Sequence, residues 1–190
     1  MYAFIGGTSA AGKTYVARAF AKQSKLPIHV VSIDDHRREF AKDPKLRYWT
    51  DILWNKNEEK YWKTITYKED IGNLIKQSEA FWSRILEVVK RTKKLHKHAL
   101  FEAINIQPHL AKRDFDFTGF FLINEDSPTL LKRLKEHPRW GKTEELQKLE
   151  VAFLLKHDVP FVKQQAKKYK YKVVNDSNDA INELKKIFLQ

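Results

Sequence analysis

A glycine-rich stretch near the start limits the fold of this chain more than any other part of the sequence. It reads GGTSAAGKT, residues 6–14, and only the short apolar run MYAFI precedes it. Gly7, four further residues and then Gly12, Lys13 and Thr14 match G-x-x-x-x-G-K-[ST] in full. Between an apolar strand and a helix, such a turn points successive backbone N–H groups at one anion. The pattern predicts a phosphate-binding loop, with an ordinary glycine turn as the alternative.

Each part of this loop has its own expected contact with a nucleoside triphosphate. Lys13 places a positive charge near the β- and γ-phosphate oxygens, and the Thr14 hydroxyl can bind Mg²⁺. We therefore expect ATP, with GTP as the alternative, and Mg²⁺ as cofactors. The predicted nucleotide-binding residues are Gly7, Thr8, Ser9, Ala10, Ala11, Gly12, Lys13 and Thr14.

The composition narrows the class of protein. A chain of 190 residues with 42% hydrophobic residues predicts one globular domain, residues 1–190. The formal net charge of +12 favours anionic partners. The chain has no cysteine, which excludes disulfides and thiolate metal sites. No stretch approaches the ~20 apolar residues of a membrane span, so we expect a cytoplasmic protein without a membrane partner.

Short apolar runs alternate with helical periodicities along the chain. The expected strands lie in MYAFI, LPIHVVSID, HALFEAI, FTGFFLI and YKVVN, and the expected helices in residues 13–22, 68–91, 130–135, 144–169 and 179–189. The aromatic-rich segment YWTDILWNKNEEKYW, residues 48–62, is expected to be irregular. Five strands alternating with helices predict a three-layer α/β sandwich with a parallel sheet.

The second expected strand ends in SIDDHRR, residues 32–38. In open α/β sheets, ligands bind beyond the carboxyl ends of the strands, so Asp34 should face the same crevice as Lys13. Asp34 could accept the proton of a hydroxyl or help to bind Mg²⁺, and Arg37 could hold a phosphate or carboxylate. A helix N-cap formed by Asp34 or Asp35 is the alternative.

The loop and SIDDHRR together resemble the small P-loop kinases of the nucleoside, nucleotide and shikimate kinase superfamily, and within it the 2-phosphoglycerate-kinase-like and zeta-toxin-like proteins. The resemblance implies the strand order 2-3-1-4-5, with Asp34 as base and Arg37 on an acceptor phosphate. The segment ALFEAINIQPHLA is similar to their third-strand segment, which places Glu102 near Mg²⁺ through water, although Ala103 replaces the usual glycine. The implied metal-binding residues are Thr14, Asp34 and Glu102.

The same resemblance implies two mobile or variable parts. A small lid over residues 133–145 would bring Arg133 and Arg139 to the transferred phosphoryl group; a solvated helix end is the alternative. An insertion over residues 42–68 would bind the acceptor. Its aromatic residues could line a pocket or form a small satellite core, and they are Tyr48, Trp49, Trp54, Tyr61 and Trp62.

Two remaining segments have ordinary explanations. The basic run KRTKKLHKH, residues 90–98, is typical of a solvated helix C-terminus, so nucleic acid is the less favoured partner. By resemblance, VVNDSND, residues 173–179, would lie against an adenine, although a helix cap at Ser177 or Asn178 explains it equally well. The predicted catalytic residues are Lys13, Asp34, Arg37, Arg133 and Arg139.

The expected function is an ATP-dependent kinase acting on a hydroxyl or phosphate of a small molecule. The chain lacks the N-K-x-D segment of a guanine-specific switch. A polynucleotide or nucleoside 5′-hydroxyl kinase and a nucleotide-binding regulatory protein without an acceptor are the alternatives. The protein would act as a monomer or a homodimer.

Overall fold

A computed structural model describes residues 1–51, 57–138 and 142–188. Five parallel strands form one sheet in the order β2-β3-β1-β4-β5. The strands are β1 Tyr2–Gly7, β2 His29–Ser32, β3 Ala99–Glu102, β4 Gly119–Leu122 and β5 Lys172–Val174. The predicted α/β sandwich and the strand order 2-3-1-4-5 are confirmed.

Helices cover both faces of the sheet. The α-helices are α1 Lys13–Gln23, α2 Arg37–Phe40, α3 Pro44–Asp51, α4 Glu58–Thr64, α5 Tyr67–Leu95, α6 Pro108–Asp114, α7 Ser127–Glu136, α8 Glu144–Phe153, α9 Val159–Lys168 and α10 Ser177–Phe188. Alternate residues of β1 enter two apolar cores, since Phe4 packs with residues of α5, α6 and α9, whereas Ala3 and Ile5 pack with residues of α1 and α10. None of the described helices has the length and apolar character that a membrane span needs.

Two segments differ from the expectation. Residues 48–62 were expected to be irregular, but the described part of this segment lies largely in α3 and α4. The Asn57 side chain caps α4 by accepting a hydrogen bond from the Lys60 amide at 2.8 Å, a signal that the aromatic residues obscured. The short helix α6 was also missed: Pro108 stands in its first turn, where proline is tolerated, and so begins a helix rather than a loop.

The predicted helix over residues 144–169 contains one irregular turn. Between α8 and α9, Leu154–Asp158 forms a π-helical segment, in which the Val159 amide donates to the Leu154 carbonyl. Pro160 follows at once and has no N–H, so the ordinary α-helical bond to the carbonyl four residues earlier cannot form there. The helical path therefore continues with one widened turn.

The register of the sheet brings three strand ends to one edge. Glu102 at the end of β3 lies beside Ile5 of β1 and Ser32 of β2. Because all strands are parallel, the segments that follow β1, β2 and β3 start from this same edge. The glycine-rich loop, the SIDDHRR segment and the loop after Glu102 are therefore neighbours.

Candidate active site

The glycine-rich loop, residues 6–14, has the backbone that its glycines permit. Gly7 has φ +126°, and a Cβ placed on it would lie 1.9 Å from the Leu122 carbonyl oxygen. Gly12 has φ +96° and Ala10 has φ +53°, so the left-handed region is used at two of the loop's central positions. Helix α1 follows without an acidic residue in its first turn and without a side-chain cap. The positive end of its dipole is therefore not compensated by its own side chains.

The Lys13 side chain is buried and folds back over this loop. Its Nζ donates to the Thr8 carbonyl at 2.7 Å and to the Gly7 carbonyl at 3.4 Å. The side chain is 8% exposed, so its ammonium group is held close to the loop. The buried Thr8 hydroxyl oxygen has no hydrogen-bond partner within the described chain.

The end of β3 meets the start of α1 through Glu102. This carboxylate is 1% exposed, and its Oε1 accepts a hydrogen bond from the Thr14 hydroxyl at 2.8 Å. Buried carboxylates are costly unless they are paired or bind a cation. A hydroxyl and a carboxylate oxygen at this separation are the hard oxygen ligands that Mg²⁺ prefers. The pair therefore fits a magnesium site completed by phosphate oxygens and water.

The described residues contain no group of three or more His, Cys, Asp or Glu side chains that could hold a metal by themselves. Mg²⁺ commonly uses only one or two protein carboxylates together with substrate phosphates. The donor set of Thr14 and Glu102, with Asp34 lining the same cleft, is of this kind.

Asp34 and Arg37 form an ion pair within one turn after β2. Arg37 Nε donates to Asp34 Oδ1 at 3.1 Å, and one terminal nitrogen lies 3.0 Å from the same oxygen. That terminal nitrogen also donates to Asn105 Oδ1 at 2.9 Å. Ile33–His36 is a 3₁₀-helix, and neither it nor α2 has a side-chain cap, so the alternative of an Asp34 or Asp35 cap is wrong. The exposed Asp35 lies apart from this pair.

Arg133 lies on α7 and reaches the glycine-rich loop. Its Nη1 donates to the carbonyls of Ala10 at 3.0 Å and Ala11 at 2.8 Å. Its guanidinium group would lie 3.2 to 3.3 Å from a Cβ placed on Gly12. Arg133 thus braces the outer side of the loop. Arg139, the other predicted lid arginine, lies outside the described residues.

These side chains line one cleft of ≈ 1020 Å³. Of the predicted site residues, those lining it are Ala10, Gly12, Lys13, Thr14, Asp34, Glu102 and Arg133. Arg37 pairs with Asp34 but is not itself among the residues that line the cleft. The cleft also extends along the outer face of α1, where Tyr15, Arg18 and Lys22 line it. These last residues were not predicted, because exposed residues of an amphipathic helix carry no signal that separates binding from solvation.

Some aromatic side chains of the predicted insertion are packed in the protein, and others are exposed. Tyr61 is 5% exposed and donates to the Asp70 carboxylate. Burial, with the Asp70 carboxylate beside it, raises the pKa of Tyr61 well above its usual range, so the phenol keeps its proton. Trp62 packs on Phe153 at 5.4 Å between ring centroids, whereas Tyr48 is 65% exposed. Trp54, a further aromatic residue of the insertion, lies outside the described residues.

The cap of α10 differs from the prediction. Neither Ser177 nor Asn178 caps this helix; Asp176 Oδ1 accepts from the amides of Asn178 at 2.7 Å and Asp179 at 2.9 Å. Asp176, the residue immediately before α10, is therefore the cap.

The basic run ends α5 as expected. The helix stops at Leu95, and Lys93 pairs with Asp116 at 2.7 Å. The two histidines of the run diverge: the His96 ring stacks on His29 at 3.9 Å, and His98 Nδ1 lies 3.1 Å from the N-terminal amine. They do not face one another as a ligand pair would.

No protein-family model matches the sequence, and no curated protein matches it. Among solved structures, the chain resembles "deoxyadenosine kinase from M.mycoides with bound dATP", with a TM-score of 0.50, 18% identity and 100% of both chains covered. It also resembles a shikimate kinase from Bacteroides thetaiotaomicron, with a TM-score of 0.49, 15% identity, and 100% of this chain and 99% of that chain covered. At 18% identity, the likeness to the deoxyadenosine kinase shows a shared α/β fold.

Proposed function

We propose that this protein is a P-loop kinase that transfers the γ-phosphoryl group of ATP to a hydroxyl or phosphate of a small molecule. The observation that carries the proposal is the cleft of ≈ 1020 Å³ in which Lys13, Thr14, Asp34, Glu102 and Arg133 meet. Phosphoryl transfer needs positioning and neutralisation of charge more than covalent help. The cleft offers cations for phosphate and a carboxylate for the attacking hydroxyl.

The glycine-rich loop and the start of α1 would hold the triphosphate. The backbone amides and the helix dipole would stabilise the negative charge of the triphosphate. Lys13 would give up its hydrogen bonds to the Gly7 and Thr8 carbonyls and donate to phosphate oxygens instead. Arg133 keeps the loop in shape through its carbonyls. Thr14 and Glu102 would hold Mg²⁺, which neutralises phosphate charge when bound.

Asp34 would accept the proton of the acceptor hydroxyl. Its ion pair with Arg37 fixes the carboxylate at the edge of the cleft. Arg37, through Nη1, the nitrogen that is bonded to neither Asp34 nor Asn105, would hold an anionic group of the acceptor. The predicted lid over residues 133–145, with Arg139, would exclude water during transfer. As part of this proposal, the protein would be most similar in function to the 2-phosphoglycerate-kinase-like and zeta-toxin-like proteins.

The test is a screen with labelled ATP and Mg²⁺ over phosphorylatable metabolites and nucleosides. We expect one acceptor class to be phosphorylated well above the rate of ATP hydrolysis. Lys13→Ala should abolish ATP binding, whereas Asp34→Asn should keep ATP binding and lower turnover by about 10²-fold or more. Equal, slow hydrolysis with every acceptor, or an Asp34→Asn variant with full turnover, would contradict the proposal and favour a nucleotide-binding regulator.

A second candidate, a polynucleotide 5′-hydroxyl kinase, is favoured by the extension of the cleft along α1. This helix has no acidic residue, and its exposed Arg18 and Lys22 lie beside Tyr15, which is 65% exposed. A phosphodiester chain could follow this stripe, with a base stacked on Tyr15. Phosphorylation of 5′-hydroxyl oligonucleotides that weakens steeply with salt would support this candidate. It is contradicted if Arg18→Ser and Lys22→Ser leave that activity and its salt dependence unchanged.

A further inference from the structure

A chain of buried polar side chains connects the insertion to the ion pair at the cleft. We call Asp34, Arg37, Asn105, Gln77 and Ser78 the polar network. Arg37 donates to Asn105 Oδ1 at 2.9 Å, and Asn105 Nδ2 donates to Gln77 Oε1 at 3.0 Å and to Ser78 Oγ at 3.1 Å. Gln77 Nε2 in turn donates to the Trp49 carbonyl of α3 at 2.7 Å. Four separate parts of the sequence are thereby joined.

The orientation of each amide in this chain is fixed by the groups at its ends. A guanidinium group only donates, so the atom of Asn105 that meets Arg37 must be the oxygen. A backbone carbonyl only accepts, so Gln77 must turn its nitrogen to Trp49 and its oxygen to Asn105. Ser78 gives its own proton to the Leu74 carbonyl at 2.7 Å, which leaves its oxygen for Asn105.

Burial makes this arrangement costly to break. Asn105 is 1% exposed, Gln77 6% and Ser78 0%. A buried donor or acceptor that loses its partner keeps the full cost of its desolvation. Alternative rotamers of Asn105 would leave several such groups unpaired at once. Its oxygen is therefore a fixed point against which the more exposed Arg37 side chain is placed.

An amide has a further consequence for the charge of Arg37. Asn105 accepts a hydrogen bond without adding a negative charge, so Asp34 is the one carboxylate paired with this guanidinium group in the described chain. A carboxylate at position 105 would neutralise the same cation from its other side. The neutral partner leaves the field of Arg37 available to an anionic group in the cleft.

We propose that Asn105 is a positioning residue, which sets the orientation of Arg37 and links it through Gln77 to the end of helix α3 in the insertion. The inference rests on the proposed function, because Arg37 is the group through which Asn105 would act on the acceptor. Asn105 itself would touch neither the acceptor nor the nucleotide.

The first test measures Arg37 directly, without a substrate. Hydrogen exchange of its Nη2 protons, followed in ¹H–¹⁵N spectra of the full chain, should accelerate by about tenfold or more in Asn105→Leu, because Nη2 loses the bond that it donates to Asn105. Asn105→Asp should restore slow exchange, since a carboxylate oxygen still accepts. Asn105→Ser, too short to reach Arg37, should behave like Asn105→Leu and replaces it if the leucine variant does not fold.

Gln107→Leu is the matched control for this measurement. Gln107 lies in the same loop, is 3% exposed, and donates to the Ile104 carbonyl at 2.9 Å rather than accepting from Arg37. The control should leave exchange of Arg37 unchanged. Unaltered exchange in Asn105→Leu and Asn105→Ser, or equal acceleration in Gln107→Leu, overturns the proposal.

The second test uses the acceptor that the screen identifies. Asn105→Leu should raise the acceptor KM by about tenfold while the ATP KM stays within about twofold, and it should have no further effect in an Arg37→Ala background. Additive effects of the two substitutions would show that Asn105 does not act through Arg37. If the unaltered chain phosphorylates no acceptor, the proposed function fails, and exchange of Arg37 still decides whether Asn105 holds it.

Discussion

The two sides of the cleft are built in different ways. The glycine-rich loop is one continuous stretch, residues 6–14, whose shape comes from its own glycines and from α1. The polar network is assembled from segments far apart in the chain, because Arg37 and Asn105 are 68 positions apart. One side is thus specified by local backbone chemistry and the other by tertiary packing. The two should therefore fail in different ways when they are mutated.

The largest expected effect is on the loop side, at Gly7. Gly7→Ala would put a Cβ 1.9 Å from the Leu122 carbonyl oxygen at a φ of +126°, so both the space and the backbone oppose it. We expect the free energy of unfolding to fall by about 3 kcal/mol or more, measured by urea denaturation.

Gly72→Ala, in the second turn of α5, is the matched control, because no atom beyond its own stretch of helix lies within 4 Å of its added Cβ. It should gain about 0.5–1 kcal/mol through helix propensity. A Gly7→Ala variant as stable as the unaltered protein would show that the loop is not shaped by this glycine.

The second effect lies where the two sides meet, at Glu102. Glu102→Gln keeps the size of the side chain but removes the charge that Mg²⁺ would balance. With ATP at a hundredfold excess over its Kd, Mg²⁺ and ATP together should raise the free energy of unfolding of the unaltered chain by about 2.7 kcal/mol. The variant should lose most of the additional stabilisation that Mg²⁺ gives over ATP alone.

Thermal unfolding with ATP, with and without a chelator, measures this difference. Glu136→Gln is the control, since Glu136 lines the cleft on α7, away from Thr14. Equal stabilisation by Mg²⁺ in the Glu102→Gln variant would remove Glu102 from the proposed metal site.

A smaller effect is expected from the arginine that braces the loop. Arg133→Met should lower the free energy of unfolding by about 1 kcal/mol in the absence of nucleotide, because two loop carbonyls lose a charged donor. Arg113→Met should change it little, since Arg113 forms an exposed ion pair with Asp114. If Arg133→Met alters ATP affinity but not the stability of the free chain, its bonds to the loop are incidental.

How far the sequence predicts the molecule follows the same division. The loop, β1 and α1 could be predicted because G-x-x-x-x-G-K-[ST] is a local pattern with one backbone solution. The apolar runs that alternate with helical periodicities also predicted a parallel sheet, although the strand order was implied by the resemblance to small P-loop kinases. The structural role of Asn105 and Gln77 could not be predicted, because the sequence does not distinguish a buried Asn or Gln side chain from an exposed one. Their partners become visible only when α5 and the loop after β3 pack together.

The smallest expected effect concerns His29, which lies at the end of the sheet remote from the cleft. Its substitution should change neither the glycine-rich loop nor the polar network. Burial, and then the stacked His96 ring, lower the pKa of His29 from its ordinary value of 6.5. The unfolded chain therefore takes up this proton at a higher pH than the folded chain does. The stability contribution is complete above that ordinary value and declines as the pH falls below it.

His29→Gln should flatten the decline in the free energy of unfolding between about pH 7 and pH 5, followed by urea denaturation at each pH. Carboxylates elsewhere titrate equally in both proteins, so the difference in slope isolates His29. ATP affinity at a fixed pH should not change, because His29 starts β2 at the end remote from the cleft. An identical slope in the two proteins would mean that the stacked histidines do not resist protonation. A change in ATP affinity would instead mean that the two edges of the sheet are coupled, so that the loop side depends on more than its local backbone.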